Sequence, residues 1–306
     1  MPTPRLLLCT LLAMVAFAGN SLLCRLALQQ TRIDPASFTS LRLVAGAAML
    51  WLLLGLRRGG RRPGGRWPAA LALFVYAAGF SFAYLSLAAG TGALILFGAV
   101  QASMVGCGLW RGDRLRRPQL WGMTLALLGL VGLLLPGATA PSLAGSLLML
   151  AAGAAWGLYS LLGQGSSQPL GDTAGNFLRA VPLAALLSAL SAANTSVDGA
   201  GIALALASGA LTSGLGYALW YAVMPALTAT TAATVQLSVP LLAAFGGVVL
   251  LAEPLTLRLV LAAGAILGGV AMSVVAGAPR RAGSPPSSGG ICGPGAPPSG
   301  KGLSDE

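Results

Sequence analysis

The amino-acid sequence predicts an all-α membrane protein of ten transmembrane helices, arranged as two inverted five-helix repeats with both termini in the cytoplasm. Only 8% of the 306 residues are charged and the mean hydropathy is +0.82, whereas soluble domains usually carry about 25% charged residues. Apolar runs long enough to cross a bilayer recur along the chain. Short residue patterns of the first half of the sequence also recur in the second half. Together these observations favour a lipid-embedded protein with internal symmetry.

The predicted spans are long and apolar on all sides, without the two-residue alternation of membrane strands. Pro35, Pro118 and Pro141 stand just before spans, where the missing N–H of proline does no harm. The ten predicted helices are Leu6–Cys24, Phe38–Leu56, Trp67–Leu87, Gly92–Trp110, Gln119–Pro136, Ser142–Gly163, Thr173–Ala193, Gly199–Val223, Thr231–Leu251 and Arg258–Gly277.

The distribution of basic residues predicts the orientation, because cytoplasmic loops are enriched in Arg and Lys. A cytoplasmic N-terminus places only Arg25, Arg32 and Arg258 outside and leaves Arg42 and Arg179 within spans. The remaining thirteen basic residues then lie inside: Arg5, Arg57, Arg58, Arg61, Arg62, Arg66, Arg111, Arg114, Arg116, Arg117, Arg280, Arg281 and Lys301. Both termini are therefore expected in the cytoplasm.

Matching features about 140 residues apart indicate the internal repeat. Phe17-Ala18-Gly19 corresponds to Ala155-Trp156-Gly157, and Arg42 in the second span corresponds to Arg179 in the seventh. Two halves of five crossings each must enter the membrane from opposite sides, as in many secondary transporters. The predicted units are residues 5–136 and 142–277, followed by a disordered cytoplasmic tail at 278–306, which is rich in Gly, Ser and Pro.

The first span has an alternative interpretation as a secretory leader. Arg5, the apolar run from Leu6 to Val15 and the triplet Ala16-Phe17-Ala18 match that pattern. Its counterpart in the sixth span argues against a segment that is discarded. We therefore expect the first span to belong to the folded protein.

Composition argues against several other functions. The net charge of +11 comes largely from two clusters between apolar runs, so nucleic-acid binding is not expected. There is no His, and the four Cys do not have metal-site spacing. No phosphate-binding loop with a following Lys appears, so neither a metal nor a cofactor is predicted. The expected partners are a small-molecule substrate and the lipid bilayer, and the sequence does not predict an oligomeric state.

Several stretches carry a family resemblance. They are Phe17-Ala18-Gly19-Asn20-Ser21, Ala155-Trp156-Gly157, the Arg in the second helix of each half, and the run from Ala232 to Pro240 with its turn Glu253-Pro254. In these features residues 5 to 277 resemble the drug/metabolite transporter superfamily, in particular its EamA-type ten-helix members. The resemblance implies transport of metabolites such as amino acids, nucleobases or sugars. The first half departs from the pattern at Gln101, where the second half has Pro240, and at Arg114, near the place of Glu253.

Polar, aromatic and helix-breaking residues within spans are the candidate substrate-binding residues. Paired interrupted helices suggest a site near the membrane centre, and a few polar groups among apolar walls orient a ligand. The candidates are Asn20, Arg42, Tyr76, Tyr84, Gln101, Trp156, Tyr159, Asn176, Arg179, Tyr217, Trp220, Gln236, Ser238 and Pro240, with Ser21 as a further polar neighbour.

Each group of candidates also has a structural interpretation. Tyr and Trp can anchor helices at the interface, and Pro240 can kink a packed helix rather than free a carbonyl. Arg42 and Arg179 can bind an anionic substrate group, or can extend to the interface or bond at a helix end. These alternatives remain open on sequence alone.

The predicted function is secondary transport, with export as the expected direction, across a bacterial inner membrane. None of the seven acidic residues lies in the middle of a predicted span, which favours facilitated diffusion or exchange over strict proton antiport. Glu253, at a span end, is the candidate coupling acid. The alternatives are a structural or assembly protein without a substrate and, with weaker support, a membrane enzyme, for which no convergent catalytic groups are present.

Overall fold

The computed structural model describes residues 4–56, 63–110, 116–137, 140–164, 166–227 and 235–277. Of these, residues 276 and 277 are described as backbone only. The helices are α1 (Pro4–Gln30), α2 (Pro35–Leu56), α3 (Trp67–Ala83), α4 (Ala89–Trp110), α5 (Arg117–Leu134), α6 (Leu143–Gly163), α7 (Pro169–Leu190), α8 (Gly199–Ala207), α9 (Gly216–Val223), α10 (Ser238–Leu251) and α11 (Leu257–Gly277). A π-helical segment, Ser208–Leu215, joins α8 to α9 in one eighth span, Gly199–Ala226.

The described part of the chain is helical, with no strand, and eight of its spans are long and apolar enough to cross a membrane. Two shorter apolar helices, α3 and α10, stand at the third and ninth predicted positions. The prediction of an all-helical, multi-pass membrane protein is therefore confirmed. The third helix ends at Ala83 rather than at Leu87, because residues 84–87 turn back onto the carbonyls of its last turn.

Some predictions concern residues outside the described ranges. They are the basic residues Arg57, Arg58, Arg61, Arg62, Arg111, Arg114, Arg280, Arg281 and Lys301, the start of the ninth predicted span at Thr231–Thr234, and the tail at 278–306.

Successive spans run in opposite directions, so the loops lie at two ends of the bundle. We call the end where α1 begins the amino face, and the end where α1 finishes the far face. At the far face, the α1–α2 loop bonds to the α7–α8 loop through Asp34 and Ser196. At the amino face, Gly64 in the α2–α3 loop donates its N–H to the Gly171 carbonyl at the start of α7.

Helix contacts between the two halves come in reciprocal pairs. Helix α1 packs against α10 and the eighth span, while α6 packs against α4 and α3. Helices α2 and α7 pack together, as do α5 and α11. Small residues permit the closest approaches: a side chain on Gly122 or Gly269 would collide with the other glycine's carbonyl, as expected for small residues at membrane helix interfaces.

Asp34 caps α2 and joins two far-face loops. Its carboxylate accepts hydrogen bonds from the backbone N–H groups of Ala36, Ser37 and Ser196 at 3.0, 2.9 and 3.2 Å. Partial burial by itself would raise the pKa of this carboxyl, but the hydrogen bonds outweigh it and lower the pKa below its ordinary value. The stabilisation is present above the ordinary pKa and is lost as pH falls through the lowered one.

The π-helical segment is the main departure from the predicted regular helix over Gly199–Val223. Gly209 and Gly214 lie so close to α2 that added side chains would meet the Arg42 carbonyl and the Met49 side chain. Within the segment, Thr212 donates its hydroxyl to the Ser208 carbonyl at 2.6 Å. Such wide turns often occur at functional sites, and this one directs Ser208 and Thr212 toward α1.

Candidate functional site

A cavity of about 330 Å³ lies among the helices of both halves. Its wall is formed by side chains from α1, α3, α4, α6, α7, the eighth span and Gln236 before α10. At one end it is bounded by the buried residues Asn20, Tyr76 and Phe80, and at the other it reaches the exposed residues Gln164 and Met224 at the amino face. A cavity of this size suits a small molecule.

Nine of the fourteen predicted site residues lie on the cavity wall: Asn20, Tyr76, Gln101, Trp156, Tyr159, Asn176, Tyr217, Trp220 and Gln236. Ser21 also lines it. The structure therefore brings together side chains that are separated by more than 200 residues of sequence.

Aromatic rings form a continuous surface along this wall. The Trp156 ring centroid lies 4.8 Å from that of Tyr76, 5.3 Å from Tyr159 and 5.4 Å from Tyr217, with the last two pairs stacked. Phe17 extends the surface by contacting Tyr217 at 5.7 Å. Contacting rings fix one another's orientation, so the wall is a rigid apolar surface with hydroxyl groups at its edges.

Asn20 connects four elements at the inner end of the cavity. Its Oδ1 accepts a hydrogen bond from the Ser208 hydroxyl at 2.8 Å and lies 3.3 Å from the Thr212 hydroxyl, whose proton is donated to the Ser208 carbonyl. Its Nδ2 donates to the Tyr76 hydroxyl at 3.2 Å. The guanidinium of Arg42 donates to the same Oδ1 from 3.5 Å. One amide therefore positions side chains of α2, α3 and the π-helical segment around α1.

Arg42 lies behind the wall rather than on it. Its side chain is buried, and its guanidinium carbon lies 5.0 Å from the Phe80 ring centroid and 5.6 Å from that of Tyr76. Both rings line the cavity. Arg42 neither reaches an interface nor bonds at a helix end, which are the two structural roles considered for it.

Arg179, the counterpart of Arg42, has a different environment. Its Nη1 donates to the carbonyls of Gly64 and, at 3.0 Å, of Gly175. It thereby fastens the residues Gly64–Arg66, which we call the α2–α3 strap, to α7. Arg179 therefore makes backbone contacts within α7 and to the strap.

Three further candidates lie away from the cavity. Tyr84 is buried and donates its hydroxyl to the Ala89 carbonyl at 3.2 Å. Ser238 donates to the Val235 carbonyl at 2.7 Å. Pro240 is buried inside α10. Their contacts are those of packing residues.

Glu253, the predicted coupling acid, takes part in a cross-link at the far face. Its Oε1 accepts a hydrogen bond from Arg25 Nε at 3.0 Å, and its Oε2 accepts one from the Ala89 N–H at 2.8 Å. Arg25 Nη1 also donates to the Tyr84 carbonyl at 2.9 Å. We call Arg25, Glu253 and these backbone groups the far-face latch.

Several lining residues were missed by the sequence analysis, notably Asp172, Thr173, Thr212 and Tyr221. Tyr159 donates to Thr173 at 3.3 Å, and Thr173 donates to Tyr221 at 3.2 Å, which leaves the Tyr221 proton available to a ligand. The usable signal was helical spacing, because Tyr221 lies one turn beyond Tyr217 and Thr173 lies three residues before Asn176.

Asp172 is the described carboxylate on the wall. It accepts hydrogen bonds from the Gly65 N–H at 3.0 Å and from the Ser166 hydroxyl. It belongs to the first turn of α7, near the amino face. Within the described ranges no cluster of three or more His, Cys, Asp or Glu is placed to hold a metal ion. The site therefore offers recognition by stacking, hydroxyl and amide groups.

Comparisons with known proteins agree with this architecture. An uncharacterized protein of Pseudomonas aeruginosa is 60% identical over 273 residues, which is 89% of this chain and 95% of that protein. A solved crystal structure of a protein aligns with a TM-score of 0.63 over 87% of this chain and 98% of its own, at 22% identity, and so shares the fold. The family model for EamA-like transporters matches residues 143–275. The chain belongs to the EamA-like transporter family, within the drug/metabolite transporter superfamily.

Proposed function

We propose that the protein is a secondary transporter that exports a small metabolite, such as an amino acid or a related compound, across the bacterial inner membrane by alternating access. The observation that carries this proposal is the cavity, which is lined by helices of both halves and reaches one face of the bundle while the other face is latched. A transporter caught in one of its two states has this form.

The reciprocal helix contacts support an inverted repeat. Each half presents its first helix to the third and fourth spans of the other half, and the second and fifth helices pack with their own counterparts. A two-fold relation between the halves would make the opposite closure available by exchanging their conformations. The repeat thus provides the physical basis for alternating access.

The positive-inside rule assigns the amino face to the cytoplasm. With this assignment the cavity is open to the cytoplasm, and the far-face latch closes the outer side. A substrate would then load from inside the cell, which supports export as the direction.

The distribution of acidic groups supports facilitated diffusion or exchange. Glu253 is paired with Arg25 in the latch rather than exposed in the cavity. The carboxylate on the described wall, Asp172, already accepts hydrogen bonds from two groups. A proton-coupled carrier usually needs an acid that gains and loses its proton within the pathway.

The test is tracer flux in proteoliposomes with labelled amino acids, nucleobases and sugars. We expect saturable flux of at least one compound, lowered at least tenfold in Trp156→Ala, because the central ring of the wall is removed. The matched control, Trp51→Ala, removes a ring from a surface-exposed position and should transport normally.

Two results would contradict the proposal. Absence of flux for every compound would favour the structural or assembly alternative. Flux that stops when an ionophore collapses the proton gradient would disprove the diffusion or exchange mode but leave transport intact.

A further inference from the structure

Arg42 carries a charge that the described structure compensates poorly. The side chain is only 2% exposed, yet within the described ranges its one hydrogen bond is the 3.5 Å contact with Asn20. No carboxylate in those ranges pairs with it. A guanidinium has five N–H donors, and a buried charge without a partner is strongly destabilising.

Two other helical arginines, one at the far face and one in α7, are better paired. Arg25 contacts the Glu253 carboxylate and two backbone carbonyls. Arg179 contacts two carbonyls in the α2–α3 strap and α7. Arg42 therefore stands out by the lack of an anion. Asn20, Tyr76 and Phe80, which contact its guanidinium, also line the cavity, so an anion at this end of the cavity would lie close to Arg42.

The aromatic wall alone would suggest a cationic ligand, since aromatic faces attract cations. In this cavity, however, the rings of Tyr76 and Phe80 already face the Arg42 guanidinium at 5.6 and 5.0 Å. A cationic ligand at this end would meet a like charge a short distance away, in a medium that screens weakly. The buried arginine reverses the preference that the rings alone would give.

We propose that the inner end of the cavity binds the carboxylate of a monoanionic substrate whose planar apolar body stacks on the aromatic wall. The carboxylate accepts hydrogen bonds from Asn20 Nδ2 and the Tyr76 hydroxyl, which now bond to each other. Arg42 supplies the compensating charge through these two groups. The body of the ligand lies against Trp156 and Tyr217. The inference deepens the proposed transport function and rests on it.

Asp172 limits the charge of the ligand. Its carboxylate lies in the first turn of α7, toward the amino face and away from Asn20. A second negative group at that end of a ligand would be repelled by it. The two ends of the cavity together favour a single negative charge, placed at the inner end.

The test compares three probes of similar shape: 3-phenylpropionate, its neutral amide, and 3-phenylpropyl-trimethylammonium. Binding is measured by calorimetry on the full chain in nanodiscs. We expect the carboxylate to bind at least about tenfold more tightly than the amide, or about 1.4 kcal/mol, and the cation to bind most weakly. Equal or tighter binding of the amide or cation, or no binding of any probe, would overturn the inference.

Variants test whether Arg42 is the source of the carboxylate preference. Arg42→Gln should abolish the preference for the carboxylate, whereas Arg42→Lys should retain part of it. Arg258→Gln, which removes a charge at the far face, should leave the preference unchanged. If Arg42→Gln does not fold, the probe series on the unmodified chain and on Arg42→Lys still decides. A carboxylate preference that persists in folded Arg42→Gln would disprove the assignment.

The binding and flux measurements distinguish failure of the ligand-class proposal from failure of the transport proposal. A carboxylate preference without any flux would contradict the transport function and leave the site intact. Flux of other compounds without that preference would contradict only the ligand class.

Discussion

Asn20 is the residue on which the geometry of the inner cavity depends. Its amide nitrogen and oxygen contact the side chains of Ser208, Thr212, Tyr76 and Arg42 in one buried network. In such networks a lost member leaves its partners unpaired, which costs more than the bond itself contributed. Changing this side chain should therefore affect both stability and ligand charge preference.

We expect Asn20→Ala to lower the melting temperature, because the Tyr76 and Ser208 hydroxyls and the Arg42 guanidinium lose a partner, at a cost of about 1–3 kcal/mol. Asn20→Asp keeps the acceptor oxygen and places a negative charge beside Arg42, so its melting temperature should remain close to that of the unmodified chain. The same change should abolish 3-phenylpropionate binding. Tryptophan-fluorescence melting and calorimetry measure both effects.

Two outcomes would contradict this account of the network. An unchanged melting temperature in Asn20→Ala would show that the network contributes little. Undiminished carboxylate binding in Asn20→Asp would show that Arg42 does not compensate the ligand.

At the scale of elements, the far-face latch joins three regions that are distant in sequence. Arg25 belongs to the last part of α1, Glu253 follows α10, and the carbonyls and N–H that they contact lie between α3 and α4. Ala252, in the left-handed conformation, turns the chain so that Glu253 can reach back. Opening the far face requires these contacts to separate.

Glu253→Gln should loosen the latch, because Arg25 keeps its charge while its carboxylate partner is lost. We expect faster hydrogen exchange in peptides covering residues 84–90 and a lower melting temperature. The double variant Arg25→Gln with Glu253→Gln removes both charges and should recover part of the stability, as a double-mutant cycle detects. Additive effects of the two changes would show that the pair is not coupled.

The whole molecule presents an asymmetry between its two faces. The described amino face carries Arg66 and Arg116 in its loops and Arg117 at the start of α5, while the far face carries Arg25, Arg32 and Arg258, of which Arg25 is paired with Glu253. Over the full sequence, thirteen basic residues fall on the predicted inner side and three on the outer side, so we expect the amino face to lie in the cytoplasm. This assignment decides whether the cavity opens to the cytoplasm or to the periplasm.

Reporter fusions test the orientation. We expect alkaline phosphatase fused after Thr195, in the α7–α8 loop, to be active, because that loop would face the periplasm. Green fluorescent protein fused after Glu306 should fluoresce, because the C-terminus would remain in the cytoplasm. The reverse pattern would invert the proposed direction of loading, and a C-terminus on the opposite side from residue 1 would rule out ten crossings.

The spans and much of the aromatic wall could be predicted from sequence, because hydropathy over about 20 residues and a rare aromatic inside a span are local signals. Tyr221 could have been found from its spacing of one helical turn from Tyr217. Thr212 could not, since rotation about the helix axis decides which polar residue faces the cavity, and the π-helical segment shifts that rotation. The pairing of Arg25 with Glu253 spans 228 positions and leaves no local pattern. Arg42 and Arg179 look equivalent in sequence, and only packing distinguishes their environments.

The α2–α3 strap has a mechanical consequence. Gly65, with φ of +87°, and Gly175, where a side chain would collide with the Gly64 carbonyl, bring the strap onto α7 without intervening atoms. Arg66 adds a bond from its backbone N–H to Asn176 at 2.8 Å. Any movement that closes the amino-face end of the cavity must therefore move the start of α3 together with α7. In the proposed alternating access, the units that move against each other would thus be drawn from both halves of the chain, and the boundary between them would not coincide with the boundary between the two predicted repeats.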